Sequence, residues 1–144
     1  MRTRIRSERG AALIEAAFTL PLLLFVSVGI IEFGRAFQTW QIVTNAAREG
    51  ARVAVLPGTS DAQVKSRVQS YLDLGISDPQ TATITIDRTT TVSLGAGSTA
   101  AASQVKVEYP FSFIVMQPVA QLLVEGSTVG RAFTMTSAAT MRNE

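Results

Sequence analysis

"RGAALIEAAFTLPLLLFVSVGI" runs from Arg9 to Ile30 and decides the architecture. From Gly10 to Ile31 its single charge is Glu15. About 20 consecutive apolar residues suffice for a helix to cross a bilayer, so this stretch is long enough. Pro21 lies in its middle and withdraws one backbone donor, which predicts a kink or local loosening there. Arg2, Arg4, Arg6 and Arg9 precede the stretch, whereas Glu32 and Arg35 cancel after it. The positive-inside rule therefore places the N-terminus in the cytoplasm and the residues beyond about 32 outside.

The carboxylate of Glu15 discriminates among three readings. A secretory signal peptide wants a short apolar core, no internal acid and a small-x-small cleavage site, whereas "EFGRAF" follows here. A plain signal anchor accounts for everything except Glu15, whose burial in the bilayer is costly without a partner. A prepilin-type leader accounts for it directly. Cleavage between Gly10 and Ala11 creates a new α-amine on Ala11, and Glu15 lies four residues on, one turn away on the same helix face. Ammonium and carboxylate then neutralise each other, within one chain or between neighbouring subunits, where the pair would set filament register. An uncompensated buried charge is expensive, so docking is favoured when the pair closes. An acid in the first turn also complements the helix dipole.

The rest of the 144-residue composition narrows the function classes. Hydrophobic residues make up 47%, with neither cysteine nor histidine. That removes disulfides, thiolate metal sites and the commonest general base. Outside residues 1–10, nine basic side chains face ten acidic ones, so the pI of about 9.5 belongs to the leader rather than to a nucleic-acid-binding surface. The acids Glu32, Glu49, Asp61, Asp73, Asp78, Asp87, Glu108, Glu125 and Glu144 form no recognised catalytic spacing, and no G-x-S-x-G or phosphate loop occurs. The expectation is a non-enzyme with no catalytic residue, metal, cofactor, small-molecule ligand or nucleic-acid partner.

The stretch from Arg6 to Val55 resembles the TadE-like family, minor pilins or pseudopilins of Tad (Flp-type) pilus systems. Gly10 followed by Glu15, "LPLLL" at Leu20–Leu24, "GIIEFGRAF" at Gly29–Phe37 and "VTNAAREGAR" at Val43–Arg52 carry the resemblance, together with "TSAATMRNE" at the chain end. Ala16 stands where major Flp-type pilins commonly have tyrosine, which favours a minor pilin. The resemblance implies processing after Gly10 by a prepilin peptidase and a role in pilus assembly, priming or tip formation. It implies as partners the membrane, that peptidase, other minor pilins, the major Flp-type pilin and an inner-membrane pilus platform. The resemblance implies a single-pass location in a bacterial inner membrane, with incorporation into the extracellular pilus open. The alternative is an unprocessed single-pass membrane protein presenting a binding domain outside.

The fold class expected is α+β: a long N-terminal transmembrane, pilin-like helix packed on a small antiparallel sheet, with one extra helix. Four parts are expected: leader 1–10, transmembrane half 11–32, its extracytoplasmic continuation 33–56, and a C-terminal α+β domain 57–144. No strong helix break occurs before "LPG" at Leu56–Gly58. Phe33, Phe37, Trp40, Val43, Ala47, Ala51 and Ala54 recur at three- and four-residue spacing. This packing stripe covers either the domain's own core, the plainer reading, or other pilins. Ser60 or Asp61 caps a second helix with Val64, Val68, Tyr71 and Leu72 inward, ended by Gly75. Period-two segments follow at "TATITID", "TTTVSLG" and "QVKVEYPFSF", with Pro110 marking a strand end or edge. "FIVMQPVAQLLVEG" reads equally as a strand continuation or as a short helix near the membrane surface. A last strand is expected over about Thr128–Met141. Strand propensity explains the threonines of 81–91 better than O-glycosylation does.

Overall fold

The computed structural model describes residues 4–95 and 97–143, so the first three residues of the expected leader lie outside the described residues. Helix α1 (Arg4–Ala54) is followed by α2 (Asp61–Leu72), a 3-10 turn (Pro79–Thr81), strands β1 (Thr83–Asp87), β2 (Thr91–Gly95) and β3 (Ser98–Phe111), helix α3 (Met116–Leu123) and strand β4 (Phe133–Arg142). The class is α+β, as the sequence indicates. Two compact units divide the chain, residues 1–34 with 113–130 and residues 35–112 with 131–144.

In the second unit β3 is the hub. It pairs antiparallel with β1 from Glu108 to Gln104, with β2 from Ala101 to Ser98, and with β4 along Ala102–Phe111. Between the pairs Asp87↔Gln104 and Thr91↔Ala101 the β1–β2 side advances one residue more than β3. Asp87 organises that bulge by accepting hydrogen bonds from the Thr89 amide (2.8 Å) and hydroxyl (2.6 Å) and the Thr90 hydroxyl (3.0 Å). These bonds hold its carboxyl below the ordinary range, the Thr89 hydroxyl foremost. The bulge frees Arg88 to reach back to the end of α1. Its guanidinium donates to the Ala54 and Thr59 carbonyls and pairs with Asp61, each at 2.8 Å. A cation thus satisfies a carbonyl that the end of α1 would otherwise leave open.

Ser60 caps α2 through a reciprocal capping box with Gln63. Val64, Val68 and Leu72 of α2 are fully buried against Val43, Ala46, Ala47, Ala51 and Ala54 of α1 and Val105 and Val107 of β3. Gly50 lets these layers close: a Cβ there would lie 2.5 Å from Val68 Cγ2 and 3.0 Å from Val105 Cγ1. α2 ends at Leu72, with Asp73 rather than Gly75 at its C-cap.

One local reading changes, one open choice is resolved, and one expectation is borne out. "FIVMQPVAQLLVEG" contains a helix, α3, a second extra helix beyond the one expected; Pro118 sits in its first turn, where a missing N–H is not needed. The last strand starts at Phe133 instead of Thr128, because Gly126 and Gly130 both adopt positive φ (77°) and hold 126–130 in a turn. Pro110 lies inside β3, paired with Thr134, but β1 stops opposite Glu108, so β3 has a partner on one side only at that point.

Candidate functional site: the N-terminal helix

Gly10, Ala11 and Glu15 all lie within α1, which runs unbroken through the expected cleavage point and through Pro21. All three residues are exposed. Around them Leu13, Ile14, Phe18, Leu22 and Leu24 are more than half exposed too. The most apolar 18-residue window of Gly10–Ala54 has a mean hydropathy of 2.2 and buries none of its residues. The helix is long and apolar enough to cross a bilayer, and no residue of its most apolar window is buried within the chain. The Ser27 hydroxyl is returned to the backbone through a 2.8 Å bond to the Leu23 carbonyl, which removes a polar group from any apolar surroundings.

At the far end of this stretch Glu32 is only 3% exposed. In the first unit its carboxylate accepts a 2.8 Å hydrogen bond from the Ile114 amide, two residues before α3 begins. The α3 N-cap, Val115, has no side-chain cap of its own, so Glu32 brings negative charge to that helix end from α1. Phe33 meets Phe113 edge-on at 5.9 Å beside it. Met116 and Val119 line an apolar groove with Pro21, Leu24, Phe25, Val28 and Gly29. In the second unit Arg35 donates a 2.7 Å bond to the Ser112 carbonyl, and its guanidinium sits 4.8 Å above the Phe111 ring. "GIIEFGRAF" therefore does more than balance charge: each of its ionic residues grips the segment that leaves β3.

The stripe read from the sequence divides. Val43, Ala47, Ala51 and Ala54 are fully buried, but Phe33, Phe37 and Trp40 are largely exposed, with Phe37 and Trp40 in ring contact at 6.1 Å. The buried seam continues toward the N-terminus through Thr39, Ala36 and Glu32 instead. These positions keep the same three- and four-residue spacing one step away from the aromatics. Two of the three are polar, so a search for apolar periodicity passes over them. Small Ala36, Ala46 and Gly50 were the available signal. Off the seam, Arg67 and Arg52 converge on Glu49 at 2.7 and 3.2 Å. The Arg67 hydrogen bond leads the influences that lower the Glu49 pKa, against a smaller opposing effect of burial.

A family model described as TadE-like protein matches residues 10–52, and so bears out the resemblance over that stretch. It begins at the residue before the expected cut and ends two residues short of the end of α1. At the level of the family, the match supports a Tad pilus-associated protein. No curated protein and no solved structure matches the chain.

Proposed function

We propose that the chain is a minor pilin or pseudopilin of a Tad (Flp-type) pilus, cut by a prepilin peptidase after Gly10. The observation that carries this is the Gly10–Glu15 spacing at the start of the TadE-like match. After cleavage the Ala11 amine and the Glu15 carboxylate stand one turn apart on an exposed, apolar helix face. Pairing removes both charges from the bilayer at once, in the chain itself or across to a neighbouring subunit. The four arginines before Gly10 keep the leader in the cytoplasm, where the peptidase works, and the sheet unit lies outside. The parts are then a leader of residues 1–10, a membrane half from 11 to 32, its outer continuation to 56, and the remainder as a non-catalytic domain that meets other minor pilins, the major pilin and the inner-membrane platform.

Co-expression of the full chain with and without a prepilin peptidase, read by intact mass spectrometry, tests this. The expected result is peptidase-dependent loss of residues 1–10, abolished by Gly10→Arg, with Glu15→Ala processed but failing to assemble. An intact chain beside a major pilin that the same peptidase does cut would overturn the proposal. It would leave an unprocessed single-pass membrane protein presenting an extracytoplasmic binding domain.

A further inference from the structure

The segment Phe113–Val124 carries no charged residue, and Glu125 is the first to follow. It belongs to the same compact unit as residues 1–34. Met116 and Val119 of α3 lie beside Pro21, Leu24, Phe25, Val28 and Gly29. Those residues form the second half of the apolar stretch that ends at Ile31. Pro21 is close to its midpoint, and Gly29 is about 12 Å further along at ~1.5 Å per residue. A bilayer half-core is about 15 Å deep. A helix alongside Pro21–Gly29 therefore sits at the depth of one leaflet, not in water above it.

The side chains that α3 turns away from α1 match that location. Met116 and Ala120 are buried, while Leu122 is 86% exposed, and Ile114, Val124 and Val129 are each more than half exposed. The polar side chains of α3 are Gln117 and the exposed Gln121, and the backbone is satisfied locally: the Val119 amide reaches Val115 O, Val124 reaches Ala120 O, and Ser127 reaches Val124 O. Unsatisfied amides are what lipid penalises most. Glu32 holds the start of this segment by the Ile114 amide, and Gly130 closes its end against the backbone of Gln117. We infer that α3 and its flanks are a second membrane-embedded element, lying in the outer leaflet against α1, with Leu122 and Val124 facing acyl chains. The unpaired apolar surface is continuous with that of the candidate span, which is what selects lipid as its occupant.

The inference rests on the reading of α1 as a membrane span, so the test separates the two. The chain has no cysteine, and single-cysteine variants carry one spin label each. The full chain is reconstituted into phosphatidylethanolamine–phosphatidylglycerol vesicles as Leu22→Cys, Leu122→Cys, Val124→Cys or Thr99→Cys. Collision with oxygen, which concentrates in lipid, is compared with collision with a water-soluble nickel chelate. The expected oxygen-to-nickel ratio at residues 122 and 124 approaches that at residue 22 and exceeds that at exposed Thr99 many-fold. A lipid signature at 22 with an aqueous one at 122 and 124 overturns the inference and leaves the span intact. An aqueous signature at 22 overturns the span as well. Weak collision with both reagents at 122 and 124 means that protein covers the segment, a second copy being the candidate, and also overturns the lipid assignment.

Discussion

The two halves of α1 are one continuous helix governed by opposite rules. From Leu13 to Ile31 most large side chains are exposed, whereas from Ala36 to Ala54 the buried residues are small: Ala36, Thr39, Val43, Ala46, Ala47, Gly50, Ala51 and Ala54. Hydrophobicity alone does not distinguish them. Size does, because a seam that receives α2 and β3 needs close approach, while a surface that meets lipid or another subunit's helix needs apolar area.

Glycine substitution breaks the comparison most sharply. Gly50→Leu forces a side chain into Val68 and Val105, and overpacking of this kind, beyond one methylene, is expected to cost about 3 kcal/mol or more. Gly29→Leu, with nothing within 4 Å of its Cβ, is expected to leave stability unchanged or raise it by up to ~1 kcal/mol through helix propensity. Thermal unfolding in detergent micelles, followed by circular dichroism, measures both. Equal effects would mean that the two halves are not packed differently.

A smaller effect is expected where the buried half ends. Arg88→Ala strands the Ala54 and Thr59 carbonyls and the Asp61 carboxylate, and a loss of about 1–2 kcal/mol in the same assay is expected. Arg88→Lys should recover only part of it, since one ammonium cannot span three acceptors.

Acid gives the smallest effect. The folded Glu49 pKa lies below its ordinary 4.5, so the stabilisation is complete above that value and is lost as pH falls through the folded pKa. The melting temperature should therefore decline as pH drops below about 4.5, and Glu49→Gln should shallow the decline without abolishing it, because Asp87 titrates in the same direction.

Much of this was legible in the residues. Alternation in "TATITID" and "QVKVEY" gave strands whose Val105 and Val107 are indeed inward, and of the two cap candidates Ser60 and Asp61 it is Ser60 that caps α2, with Gln63 completing a box the residues alone did not announce. Val43, Ala47 and Ala51 marked the seam. Its upper part was hidden because Glu32 and Thr39 are polar residues buried by virtue of their hydrogen bonds, to the Ile114 amide and the Arg35 carbonyl, and no hydropathy pattern registers a satisfied carboxylate. Segment 113–124 was ambiguous for a different reason: a short apolar run lacks enough turns to show a period, and what it packs against decides its form.

The sheet unit is assembled from two separated pieces of chain, residues 35–112 and 131–144. As the polypeptide emerges, β3 can pair with β1 and β2 at once, but its other edge stays bare until β4 arrives some twenty residues later, after the apolar excursion of 113–130. A bare edge strand is a template for wrong partners. If the excursion settles first beside α1, it shortens the free path to β4, and the entropy of closing that loop falls accordingly.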